Sequence, residues 1–141
     1  MSQTNIQPAA GDFIVLYGSL MRGFGAVDPL GIASRLRFVG PCVCRGELYD
    51  LGDYPGLRAG EARVVAELHA VLDDDLISVL DEFEGYSPKR PRESLYLRER
   101  INLVEPVDAE AWIYLYNAVP DAATRVTSGD WRAHLLTRNV A

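Results

Sequence analysis

Residues 64–85 read Val-Val-Ala-Glu-Leu-His-Ala-Val-Leu-Asp-Asp-Asp-Leu-Ile-Ser-Val-Leu-Asp-Glu-Phe-Glu-Gly, and the hydrophobic period changes in the middle of that run. From Val64 to Leu72 the apolar residues Val64, Ala66, Leu68, Ala70 and Leu72 take alternate positions, with Glu67 and His69 among the others. That pattern predicts a half-buried strand. Past Asp73, Asp74 and Asp75, the residues Leu76, Val79, Leu80 and Phe83 recur at i, i+3, i+4 and i+7, the stripe of an amphipathic helix of about three turns. The aspartates suit an N-cap and an acidic first turn, and Gly85 suits the left-handed position past the helix end. A strand feeding directly into a helix through three residues marks an α+β chain.

The flanking sequence fills in the rest. Phe13-Ile14-Val15-Leu16-Tyr17 is a continuous apolar run of strand formers, as expected of a central strand covered on both faces. Gly18 stops it, and the glycine-rich stretch 18–31 reads as a loop with at most a turn of helix. Residues 45–51 read as a strand ending in the turn Asp53-Tyr54-Pro55-Gly56. Residues 87–94 carry Pro88, Pro91 and basic residues and read as an exposed loop. The runs 95–104 and 109–117 form a hairpin across Glu105-Pro106-Val107-Asp108. Ser128-Gly129-Asp130 caps a short helix reaching about Arg138. Strands outnumber helices and connections are short, so the expected architecture is a mixed, mostly antiparallel β-barrel with helices packed outside. Residues 1–10 are expected to be a flexible tail and 11–141 a single domain.

Composition narrows the function. The chain has 141 residues, 48% hydrophobic and 24% charged, which is enough apolar material for a core without disulfide staples. Net charge is −6; without a basic stripe such a chain is repelled by nucleic-acid phosphates and by anionic membrane surfaces. No apolar run nears the ~20 residues of a membrane span, and the polar residues 1–10 lack a signal-peptide layout; the expected location is cytoplasmic. Cys42 and Cys44 share one side of a strand and are expected to be reduced, buried thiols. With only His69 and His134 elsewhere, they do not make a zinc site.

Two stretches carry candidate chemistry. At Tyr17-Gly18-Ser19-Leu20 a buried strand turns sharply, which can leave backbone N–H groups aimed at a carboxylate or oxyanion or can be a plain strand-end turn. Gly23-Phe24-Gly25 lacks the third glycine of a dinucleotide fingerprint, having Asp28 there. At Asp81-Glu82-Phe83-Glu84 three acids crowd a helix C-terminus, where the macrodipole disfavours negative charge. Asp81 and Glu82 are expected to project away from the apolar face; Glu84 lies on its flank, best placed to be desolvated. Such a carboxyl is pushed toward neutral pH, where it can act as a base and then an acid, or it is a structural glutamate met by water or an arginine. Ser19 and His69 lack the context of a hydrolytic triad. Arg98 and Arg100 share a strand face with Tyr96 and read as solvent-facing, with pairing to a substrate carboxylate as the alternative. Trp112, Tyr114 and Tyr116 alternate with Ala111, Ile113 and Leu115, and one set lines a core or cavity.

Taken in order, 16–20, the Tyr54-Pro55-Gly56-Leu57 turn, 80–86, Tyr96-x-Arg98, 112–116 and 128–131 resemble the γ-glutamylcyclotransferase superfamily, in particular its AIG2-like branch; Leu20-Met21 resembles members acting on γ-glutamylamines. The resemblance implies a mixed barrel with a small cavity. Tyr17, Gly18, Ser19 and Leu20 would hold a γ-glutamyl group, and Glu84 would be the acid/base. The products would be 5-oxoproline and an amine, with no cofactor or metal. A non-catalytic module binding a carboxylate-bearing metabolite on the same fold is the alternative.

Overall fold

The computed structural model describes residues 8–24 and 31–138. Its strands are β1 (Phe13–Leu16), β2 (Leu36–Asp50), β3 (Pro55–Val71), β4 (Tyr96–Asn102) and β5 (Glu110–Tyr116), and its α-helices are α1 (Leu76–Glu84) and α2 (Trp131–Arg138). The strands form one sheet in the order β2-β3-β1-β5-β4. β1, the continuous apolar run, occupies the middle of it, with Ile14, Val15 and Leu16 all buried. It pairs antiparallel with β3 and parallel with β5, whereas β2–β3 and β4–β5 are antiparallel. The mixed, mostly antiparallel character therefore stands as expected.

Closure into a barrel is not shown. Edge strands β2 and β4 are joined, among the described residues, by one bridge beyond the end of β4, where the Val43 amide donates to Glu105 O at 2.9 Å and the Val104 amide to Val43 O at 2.8 Å. Extending that bridge into a ladder needs the next outward amide of β2, and that residue is Pro41, which has no N–H to give. On the other side the register of β2 shifts between Arg45 and Glu47. Among the described residues, hydrogen-bonded closure beyond that bridge is not shown.

The long β2–β3 hairpin also exceeds the reading of separate strands at 45–51 and 64–72. Gly40 and Gly46 sit at the two register shifts of this continuous edge strand. Helix α1 is nine residues long, slightly short of the expectation. Asp75 precedes it without a side-chain cap bond. Asp73 instead accepts the Asp75 amide at 3.0 Å and pairs with Arg35 at 2.6 and 2.8 Å. At the other end Gly85 takes φ 71° and the Tyr86 amide reaches back to Asp81 O at 2.8 Å, the expected left-handed stop. Leu76, Ile77 and Leu80 are buried, but Phe83 is exposed. α2 is capped by Asp130, which accepts the Ala133 amide at 3.1 Å, and buries Trp131.

Of the expected tail, residues 1–7 lie outside the described ones. Ala9 and Ala10 are already tied down by Asp12 (3.0 Å) and Asp74 (2.8 Å). The expected loop 18–31 is described to Phe24 and again from Gly31; 25–30 lie outside. Cys42 and Cys44 are free and buried, as expected, and burial pushes their thiols up to about 12 and about 11. No helix among the described residues is long and apolar enough to cross a membrane.

Candidate active site

The C-terminal end of β1 and the last turn of α1 face each other across a cavity of about 100 Å³. Tyr17, Gly18, Ser19 and Leu20 form one wall, Glu84 and Phe83 stand on the other, and Tyr54, Pro55, Leu95, Tyr96 and Tyr114 complete the lining. The two stretches singled out in the sequence, 64 residues apart at Leu20 and Glu84, are therefore brought together.

Sharp turning after β1 follows from its residues. The Met21 amide donates to Gly18 O at 3.0 Å, closing a tight turn, while the Ser19 and Leu20 amides have no backbone or side-chain acceptor among the described residues. Those are the backbone donors a ligand carboxylate or oxyanion requires. Gly18 is demanded by contact: a Cβ there would stand 2.9 Å from Cγ and Cδ of Pro55. Gly18→Ala is expected to cost about 1–3 kcal/mol through overpacking, measurable as a lowered urea midpoint with an unchanged m-value.

Behind the turn, the loop is fastened to β3. The carboxylate of buried Glu67 accepts from the Arg22 amide (3.0 Å), from His69 Nε2 (3.0 Å) and from Arg132 (3.2 Å). Burial works to raise this carboxyl, but the Arg22 amide and His69 hold it below its ordinary value. His69 is thus a structural histidine, as its mid-strand position suggested.

The tyrosine hydroxyls of the cavity wall are committed elsewhere. Tyr17 donates to Tyr114 O at 2.5 Å and accepts from the Leu57 amide at 3.3 Å. Tyr96 donates to Pro55 O at 2.6 Å, and Tyr114 to Asp81 Oδ1 at 2.6 Å. Burial raises all three phenols, so they stay neutral. Tyr17 therefore offers the cavity a ring face; its hydroxyl is already in use. Glu84 makes no hydrogen bond or ion pair among the described residues. Its carboxyl, desolvated and close to Asp81, is raised from 4.5 to about 7.

Three sequence readings are corrected here. Arg98 does not face solvent: its side chain is 8% exposed and is ion-paired with Asp81. Asp81 does not project away from the core; at 13% exposure it receives both Arg98 and Tyr114. The two charges had to be buried together, because either alone carries a desolvation cost of several kcal/mol. Phe83 leaves the apolar stripe to stand at the cavity mouth. Tyr116, the other aromatic considered for substrate contact, packs on Tyr96 with ring centroids 5.6 Å apart, outside the cavity lining. Tyr54 directly precedes β3 and Pro55 begins it, and Leu95 directly precedes β4. Tyr96, Tyr114 and Leu95 were missed as lining residues; the aromatic density of 112–116 was the available signal, but strand parity alone does not say which face meets a cavity.

Known proteins share this fold. Curated relatives from Vibrio cholerae and Escherichia coli are 33% and 32% identical over 84 and 85 residues, each covering 60% of this chain. The matched stretches span 64% and 66% of those relatives' own lengths, and the second is a gamma-glutamylcyclotransferase family protein, YtfP. The solution structure of E. coli YtfP superposes with a TM-score of 0.62 at 28% identity, covering 84% of this chain and 95% of that one. The crystal structure of an AIG2-like protein from Mus musculus shares the fold, with a TM-score of 0.66 at 19% identity, over 86% of this chain and 88% of that one. The model of the AIG2-like gamma-glutamyl cyclotransferases matches residues 14–133, and the chain belongs to that family.

Proposed function

We propose that this chain is a γ-glutamylcyclotransferase in which Glu84 is the general acid/base and the turn Tyr17, Gly18, Ser19 and Leu20 holds the γ-glutamyl group of a small-molecule substrate. The observation that carries this reading is the position of Glu84: a carboxyl raised to about 7, across a 100 Å³ cavity from the Ser19 and Leu20 amides, with neither it nor those amides hydrogen-bonded among the described residues.

A γ-glutamyl amide carries its own nucleophile. Ionised Glu84 takes a proton from the substrate α-ammonium. The freed amine nitrogen attacks the γ-carbonyl carbon, forming the new C–N bond of a five-membered ring. The Ser19 and Leu20 amides are suited to hold the substrate carboxylate or the tetrahedral oxyanion. As the tetrahedral centre collapses, the original amide C–N bond breaks, protonated Glu84 gives its proton to the departing nitrogen, and the ring nitrogen passes its second proton to the released amine, which leaves as an ammonium. Atoms balance as γ-glutamyl amide to 5-oxoproline plus amine, with no water consumed. Holding the amine against the carbonyl gives an effective molarity of order 10⁵ M or more. That accounts for how one carboxyl and a shaped pocket suffice.

The first test is release of 5-oxoproline from a panel of γ-glutamyl amides, read by mass spectrometry. Tight binding of the panel without turnover would leave the carboxylate-binding module as the reading. The pH dependence gives a second expected result. Because the base form of Glu84 is needed in the free enzyme, kcat/KM should rise with pH along a limb centred near 7. A limb near pH 4.5, the ordinary glutamate value, would show that the carboxyl is not desolvated in the working enzyme.

A further inference from the structure

One face of α2 meets the end of β2. Trp131, His134 and Arg138 stand at i, i+3 and i+7 and so share a side of the helix. Trp131 is buried in the core, and the His134 ring centroid and Arg138 Cζ each lie 5.5 Å from the centre of a Trp131 ring. From that footing both reach Asp50, the last residue of β2. His134 Nε2 donates to Asp50 Oδ2 at 2.8 Å, and Arg138 donates to both carboxylate oxygens at 3.1 Å and to Gly52 O at 2.7 Å. Asp50 in turn accepts the Gly52 amide at 2.8 Å, and the Leu51 amide closes the turn on Tyr54 O at 3.0 Å. Gly52 takes φ 109°. Glycine has the widest backbone freedom, so this turn depends on those bonds for its shape.

The turn runs straight into the cavity wall. Tyr54 and Pro55 line the cavity, whereas Asp50, His134 and Arg138 stand outside its lining. Pro55 pairs with Asp50 in the β2–β3 register, gives its carbonyl to the Tyr96 hydroxyl at 2.6 Å, and packs so closely on the Gly18 turn that a Cβ at Gly18 would meet it. Resting on the cyclotransferase reading, we propose that Asp50 is a positioning residue for the reaction: gripped by His134 and Arg138, it fixes the 50–54 turn and with it the place of Tyr54 and Pro55 beside the substrate. Ring closure needs the substrate amine and carbonyl held in near-attack geometry, and a displacement of about 1 Å far from the chemistry can cost about 10²-fold in rate. Burial works to raise the Asp50 carboxyl, but His134, the Gly52 amide and Arg138 hold it below its ordinary value. It therefore stays ionised, and keeps its three partners, through the pH range in which Glu84 titrates.

Asp50→Asn and Arg138→Ala, singly and combined, test it on the γ-glutamyl amide of the panel that turns over fastest. Each single is expected to lower kcat by about tenfold or more with a smaller change in KM, the signature of lost orientation rather than lost binding. The double should fall no further than the lower single, because both act through one turn. Arg138 has a side chain 39% exposed, so Arg138→Ala should leave the urea midpoint nearly unchanged. Arg138→Lys, which keeps a cationic donor, should recover most of the lost kcat. Amide hydrogen exchange at Leu51 and Gly52, followed by NMR, should quicken by about tenfold or more in Arg138→Ala as the turn loosens. Variants that lose stability but keep kcat when folded make the cluster a structural tie and overturn the proposal, as does unchanged exchange at Leu51 and Gly52. Absence of 5-oxoproline release by the unaltered protein is instead the failure of the cyclotransferase reading; the grip on the turn then stands or falls on the exchange rates alone.

Discussion

Glu84→Gln is expected to lower 5-oxoproline release by about 10²- to 10⁴-fold, the usual contribution of a positioned acid/base, while making the fold more stable at alkaline pH. Both effects come from one property of the site. The carboxyl is desolvated and lies near Asp81, so its folded value is about 7 against an ordinary 4.5. Between those two values the native state holds a proton that the unfolded chain has released. The contribution of Glu84 to stability is therefore greatest below pH 4.5, falls as pH rises through 7, and is absent above it. A glutamine of the same shape does not titrate and escapes that loss. The shift corresponds to a ceiling of about 3 kcal/mol, reduced toward about 1–2 kcal/mol because the side chain is only partly shielded from water. Urea titrations at pH 4, 6 and 8 check it: the two proteins should coincide at pH 4 and diverge by pH 8 in favour of the variant. A variant that keeps normal turnover removes Glu84 from the mechanism. One that loses stability at pH 8 shows that the carboxylate has a structural partner.

Arg98→Met is expected to destabilise the fold by about 3–5 kcal/mol, the cost of leaving a buried charge without its partner. The stranded group is Asp81, 13% exposed and then held by the Tyr114 hydroxyl alone. With total stabilities of about 5–15 kcal/mol for domains of this kind, that is a large fraction. The pair also sets the position of the site. Asp81 precedes Glu84 by one helical turn, and its bonds to β4 and β5 hold the end of α1 over the cavity. The neutral double variant Asp81→Leu with Arg98→Met should recover much of the lost stability, because no charge is left stranded. Its catalytic pH profile should shift to lower pH, since the charge of Asp81 is one cause of the raised Glu84 value. Chemical denaturation of the two singles and the double closes the cycle. Additive losses would mean that the two side chains do not depend on each other.

These expectations show how the chemistry divides between chain and fold. β1 was legible from five apolar residues, because a strand covered on both faces has no polar positions to give. α1 and its stop at Gly85 were legible because helical spacing and a left-handed glycine are local properties. Glu84 was singled out by the same helical geometry. By contrast, the roles of Arg98 and Asp81 were read backwards. Each is charged, and a charge in isolation belongs in water; the reason for burying both is that they meet, 17 residues apart in the chain, across a helix–sheet contact. Phe83 was read backwards for the mirrored reason, since an apolar residue is exposed where a cavity mouth replaces the core.

The amino-acid sequence by itself determined the α+β class, the central strand, the helix carrying Glu84 and the turn opposite it, because each depends on periodicity and on residues within one turn of one another. Tertiary structure decided the strand order β2-β3-β1-β5-β4, since which strand edges meet depends on segments distant in sequence. It also decided that Glu84 has no partner among the described residues, since a carboxyl's proton affinity is set by every charge and dipole that folding brings within a few ångströms, most of them distant in sequence.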